Sequence, residues 1–186
     1  MLDTLILDLA AFSGMQVENM THGHGWRFLE IGRRVERTVI VLVLAGASAR
    51  IAGSDDSVLT PLLEICDSSM TYRRLHFARP RLVPVVDLLL LNDANPRSVA
   101  YQIEALNSHS QQLPVDPQSG HAGREKRMAA DLRGTLAALD LDSFAQRESA
   151  AFSEVPAFCT GLLAETETFS DLLTEHYFSH AARRVR

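Results

Sequence analysis

The densest concentration of groups able to do chemistry is the segment GWRFLEIGRRVER, Gly25 to Arg37. At about 100° per residue, Arg33 and Glu36 are neighbours one turn apart on a helix surface. Gly32 lies one turn before Glu36 and leaves space beside its carboxylate, while Leu29 and Ile40 flank the same strip. The spacing therefore predicts a Glu36 partly shielded from water, with Arg33, Arg37 or a neighbouring helix as partner. Two readings follow. One is an acid/base centre or an anion-binding cluster of Arg27, Arg33, Arg34 and Arg37; the other is a buried ion-pair network that fixes helix register.

Two further segments carry polar groups at suggestive spacing. In DSSMTYRR, Asp67 and Thr71 are one helical turn apart, as are Ser68 and Tyr72, and Ser69 and Arg73. These groups fall among Leu62, Ile65, Cys66 and Met70 and so need partners. Asp67 or Tyr72 meeting the Glu36 strip would make them catalytic candidates, with Arg73 as a further anion contact; interhelical hydrogen bonding is the plainer account. Asn95-Pro-Arg-Ser98 places Arg97 and Ser98 at a helix start, where free N–H groups suit a phosphate or carboxylate. Asp87, Asn92 or Asp93 would serve Arg97 equally well as internal partners.

Other chemistry finds little support. His22 and His24 sit in a glycine turn, and EHYFSH spaces His176 and His180 by four residues without the HExxH order. No third ligand stands near, so no metal site is expected. The sequence has no Walker A loop, no GxGxxG after a strand and no GxSxG elbow, and no cofactor is predicted. Cys66 and Cys159 stand far apart and read as free thiols of a reducing compartment.

The elements that must position these residues are helical. Apolar residues recur at helical spacing, and strict alternation is absent. A first helix is predicted over 2–20, with Leu2, Leu5, Ile6, Leu9, Val17 and Met20 along one side, broken by Thr21 to Gly25. The second runs from Trp26 to Ala49, and its all-apolar half, VIVLVLAGA, predicts a central, buried position. Thr60-Pro61 starts a third helix reaching towards Ala78. A short one covers VVDLLLLN from Pro84, and Asn95-Pro96 opens a fifth that ends near Gln111. Residues 113–123 form the longest loop. A sixth helix spans 124–139, a short turn surrounds Phe144, and Pro156 starts the last. The sum is an all-α bundle of six to seven helices in one domain, 1–186.

Composition agrees. Of 186 residues, 46% are hydrophobic and 22% charged, which fits a globular chain. The net charge of −5 argues against nucleic-acid binding, and the basic tail His180 to Arg186 reads as a solvated terminus. The longest uncharged apolar stretch, Thr38 to Ala47, is too short to span a bilayer, and no signal peptide is evident. A cytoplasmic protein is expected.

Taken in order, ENM (Glu18–Met20), GWRFLEIGRRVER, DSSMTYR, DLLLL and NPRS resemble the bacterial alpha-E family, a helical domain named for a Glu-Arg pair matched here by Glu36-Arg37. The likeness runs from about Phe12 to Phe178. It implies association with circularly permuted ATP-grasp ligases, transglutaminase-like proteins and NTN-type peptidases, hence peptide synthesis or modification. On that basis the chain is expected to be an accessory module that holds a peptide or a ligase partner, its arginines serving as anionic docking points. The second reading is an enzyme of acyl or peptide transfer using Glu36 with Arg33, Arg37 and Arg97. Family members typically carry a tandem pair of such units, and this chain resembles the C-terminal one. The apolar surfaces of the first two helices would then lack part of their cover, which predicts self-association or docking to another chain.

Overall fold

The computed structural model describes residues 1–53, 55–115, 123–141 and 148–178, and no strand occurs among them. Eight α-helices follow in order: α1 (Leu2–Asn19), α2 (His24–Ala52), α3 (Leu59–Ile65), α4 (Ser69–His76), α5 (Leu82–Val86), α6 (Val99–Gln111), α7 (Arg124–Ala137) and α8 (Glu148–Leu173). A 3-10 turn, Asp56–Val58, leads into α3, and π-helical turns follow α5 (Asp87–Leu91) and α8 (Thr174–Phe178).

The four longest helices behind α1 close an up-down-up-down bundle. Trp26 and Arg34 of α2 meet His109 and Gln102 of α6, so these two run antiparallel. Phe28 meets Tyr177 just beyond α8, and Gly53 lies beside Phe152 at the opposite end, so α8 is antiparallel to α2 as well. Glu104 pairs with Arg133 and Thr135 with Glu165, which places α7 between α6 and α8. Short helices α3 to α5 fill the crossover from α2 to α6. Because α2 is flanked on two sides, it buries a wide arc: Ile31, Val35, Leu42, Ala45 and Ala49, with Glu30 and Thr38 included. Leu88 to Leu90, Ile103, Leu132, Leu162 and Phe169 complete the shared core.

Several details depart from the sequence expectation. The predicted third helix is two, because Asp67 adopts a left-handed backbone (φ 47°) after Cys66 and the chain restarts at Ser69; this gives eight helices among the described residues where six to seven were expected. The cap of α6 is Ser98, whose side chain accepts from the Tyr101 N–H, and Asn95-Pro96 lies in the preceding turn. Likewise α3 begins at Leu59, ahead of Thr60-Pro61, because Asp55 caps the 3-10 turn that feeds it. Pro156 sits inside α8 instead of starting it, since Ala151 and Val155 upstream are fully buried and hold the preceding turn in place. The segment around Phe144, residues 116–122 of the long loop and the tail 180–186 lie outside the described residues.

The largest departure concerns burial. The apolar second half of α2 is not enclosed: Ile40, Val43 and Ile51 are each about half exposed. In α1 no residue is buried, and Leu2, Ile6, Leu7 and Met15 are more than 60% exposed. No helix among the described residues is long and apolar enough to cross a membrane. Cys66 and Cys159 are free and buried. Burial pushes their thiols up to about 11 and about 12, so neither is a thiolate nucleophile at neutral pH.

Candidate functional site

The segments singled out above converge on one side of α2. Asn95 donates to Ser68 Oγ (3.3 Å) and to the Leu88 carbonyl (3.0 Å), while Ser68 donates to the Cys66 carbonyl. Asn95 and Ser68 are buried, so this knot ties the π-turn DLLLL to the α3–α4 corner. The left-handed backbone at Asp67 then turns its carboxylate onto Arg97, with Nη2 to Oδ2 at 2.7 Å. Asp67, rather than Asp87, Asn92 or Asp93, is therefore the ionic partner of Arg97.

Beside this pair opens a groove lined by Arg37, Ile40, Val41, Ile65, Cys66, Asp67 and Arg97. It combines the apolar side chains of Ile40, Val41 and Ile65 with two guanidiniums and one carboxylate. Arg37 has no carboxylate within ion-pair distance among the described residues. Burial, together with the charges of Arg34, Arg97 and Arg33, holds its pKa below the usual guanidinium value, against a smaller opposing pull from Glu30. A guanidinium in that field is a cation waiting for an anion.

The buried acid of α2 is Glu30, not Glu36. Glu30 is 4% exposed and accepts from Arg33 Nη1 at 2.8 Å and from Arg34 Nη2 at 2.6 Å. Arg34 also reaches Gln102, and Arg33 reaches Gln16 of α1. Glu36 lies on the exposed face. The expected shielding fails because Ile40 beside it is itself half exposed and no helix among the described residues covers that strip. The spacing that marks Glu30 was present in the sequence, three and four residues before two arginines. The apolar stripe alone marks a narrower buried arc, which leaves Glu30 outside it.

The remaining candidates have structural employment. Tyr72 is 2% exposed; its hydroxyl donates to the Arg79 carbonyl (3.3 Å) and accepts from the Arg81 N–H (3.2 Å), bracing the α4–α5 connection. Ser98 donates to the Asn92 carbonyl in addition to capping α6. Arg73 is exposed beside Met70, Thr71, Arg74 and Phe77, in a depression separate from the groove. Arg27 lies at the far end of α2, where its charge acts on His109.

That far end carries a second polar cluster. Trp26 is sandwiched by a stacked His22 (4.0 Å) and an edge-on His109 (5.1 Å). Nearby, buried Glu125 accepts from Tyr177 Oη at 3.1 Å and lies 3.5 Å from His176 Nδ1. His109 Nδ1 is buried without a hydrogen bond. Burial, with Arg34 and Arg27, outweighs the pull of Glu30 and lowers the His109 pKa below 6.5. The unfolded chain then binds a proton that the folded chain refuses. Stability due to His109 is present above pH 6.5 and is lost as pH falls from there through the lowered folded pKa. Melting curves from pH 7.5 to 5 should show a steeper loss for the wild type than for His109→Gln; equal slopes would contradict this.

A family model described as a predicted α-helical domain with a conserved ER motif matches residues 1–178. The chain belongs to the alpha-E family. The sequence contains a single Glu-Arg dipeptide, Glu36-Arg37, and its arginine is the one that stands unpaired in the groove. Among relatives of this alpha-E chain are uncharacterized proteins of Mycobacterium bovis and of Mycobacterium tuberculosis, 27% identical over 170 residues. That match covers 89% of this chain and 19% of each relative, so the chain spans about a fifth of their length. No solved structure gives a significant match.

Proposed function

We propose that this alpha-E chain is a helical module that holds a ligand carrying a terminal carboxylate, and that it serves ATP-grasp-type ligases in peptide synthesis or modification. The observation that carries the binding reading is the unpaired Arg37 in an apolar groove that Arg97 also lines. Of the charged groups that line the groove, Arg97 is paired with Asp67, which leaves the charge of Arg37 without a counter-ion there. Ile40, Val41 and Ile65 offer contact for an apolar side chain next to that charge. A peptide C-terminus combines both features. The link to ligases, and to peptide chemistry as a pathway, rests on what membership of the alpha-E family implies. A holding role is preferred to acyl transfer because exposed Glu36 has no hydrogen-bond or ionic partner among the described residues and burial keeps both thiols protonated at neutral pH.

The test is calorimetric titration with an N-acetylated dipeptide ending in leucine, as the free acid and as the amide. The free acid should bind at least about tenfold more tightly, the equivalent of roughly 1.4 kcal/mol from a charge-assisted contact. Raising salt should weaken it. Equal affinity for acid and amide would sink the proposal.

A further inference from the structure

The helix α1 presents apolar residues on every side and packs on none of the bundle helices with a buried residue. Leu2, Leu5, Ile6, Leu7, Leu9, Phe12, Met15 and Val17 are all more than half exposed. Its attachment to the body is slight: a hydrogen bond from Arg33 to Gln16, and Met20 close to Gly25. An apolar surface of this extent on one arm marks an interaction site.

The bundle offers a matching strip. Gly32, Glu36, Ile40, Val43, Ala47 and Ile51 recur every three or four residues along the exposed face of α2, and from Ile40 onward the strip is apolar. At 1.5 Å per residue the strip is about 28 Å long and α1 about 26 Å. The two surfaces also differ in charge. Helix α1 carries Asp3, Asp8 and Glu18 and no cation, whereas the strip holds one acid, Glu36, and is bordered by Arg33 on one side and Arg50 on the other.

The chain cannot cover this strip with its own α1. Only residues 20–23 separate α1 from α2. Folded back as a hairpin, α1 would reach about 26 Å along α2, to about residue 41, and would stop where the apolar part of the strip begins. An acidic arm is also a poor fit to anionic lipid. We propose that α1 of one copy lies along the exposed strip of α2 in a second copy, and the reverse, forming a two-fold dimer by exchange of helical arms. The centre of α1 then lies over the centre of the strip, which brings Phe12 of one copy to Val43 of the other if the arm runs parallel to the strip, and Leu9 to Val43 if it runs antiparallel.

Light scattering on the 186-residue chain at micromolar concentration should give twice the 20.5 kDa chain mass. Leu9→Glu and Val43→Glu should each return the single-chain mass with unchanged far-UV circular dichroism. Phe77→Glu, on an exposed apolar side chain elsewhere, should remain dimeric. Mixed under oxidising conditions, Val43→Cys chains should form a covalent heterodimer with Phe12→Cys chains (parallel arm) or with Leu9→Cys chains (antiparallel arm), since Cys66 and Cys159 are buried; failure of both pairings overturns the proposal. A monomeric wild type overturns the proposal. So does a dimer that survives both glutamate variants, or a Phe12→Cys/Val43→Cys double variant that closes its disulfide within one chain.

Discussion

Replacing Glu30 by Gln is expected to destabilise the chain by about 3 kcal/mol, the lower end of the range for breaking a buried ion pair. For a chain of this size that is a fall in Tm of roughly 10 °C. The substitution keeps the shape of the side chain but removes the charge that neutralises two guanidiniums. Arg34, whose side chain is 15% exposed, would keep Gln102 and the face of Tyr101 at 6.0 Å, neither of them charged. Arg33 is 23% exposed and can turn further into water, which limits the loss to the lower end. Glu36→Gln provides the contrast. With an exposed carboxylate and no ionic partner among the described residues, it should move stability by less than about 0.5 kcal/mol. Urea melts of the two variants side by side decide the matter. A Glu36 variant as damaged as the Glu30 variant would mean that the ion-pair core has been placed on the wrong residue.

The second large effect is expected at Gly46, where α2 and α8 approach closely. A Cβ there would meet Cys159 Cβ at 3.1 Å and the Pro156 backbone at 3.9 Å. For Gly46→Ala two terms nearly cancel. Helix propensity gains up to about 1 kcal/mol, and the methyl group needs a shift of a few tenths of an ångström from Cys159. For Gly46→Leu the balance is lost, because four carbons enter a space that holds none. Overpacking of this kind costs about 1–3 kcal/mol, and the proximity of backbone at Pro156, which cannot rotate away, puts the expectation near 3. Thermal denaturation of both variants checks the pair, and a Leu variant as stable as the Ala variant would show that the helices part easily.

Much of the fold could be read along the chain, and the reasons the rest could not are physical. Helical periodicity marks a property of one element by itself, so α1, α2, α6 and α7 emerged near their observed limits. Burial depends on neighbours that periodicity does not name. The apolar run from Val39 in α2 is equally compatible with a helix enclosed on all sides and with one that keeps a bare strip for another surface. The structure has the bare strip at Ile40, Val43 and Ile51. Glu30 is the reverse case: a charged residue drawn inside because α6 and α8 flank α2 on both sides. At the candidate site, Arg97 and Asp67 were each singled out from sequence, but their pairing depends on the left-handed turn at Asp67. Asp tolerates that conformation without announcing it, since glycine is the usual signal. Tyr72 follows the plainer of its two readings, a hydroxyl held by hydrogen bonds, though to two backbone groups within its own crossover.

The account turns on Arg37 being a cation whose counter-ion belongs to a ligand. A charge kept for binding and left unpaired in the free protein works against folding, so its removal should stabilise the empty chain while abolishing recognition. The measurement is the Tm of wild type and Arg37→Gln, each with and without saturating acetylated dipeptide acid. Free Arg37→Gln should melt roughly 1–2 °C above the free wild type, and the peptide should raise the Tm of the wild type only. An Arg37→Gln variant that melts below the wild type and still gains stability from the peptide would contradict the account.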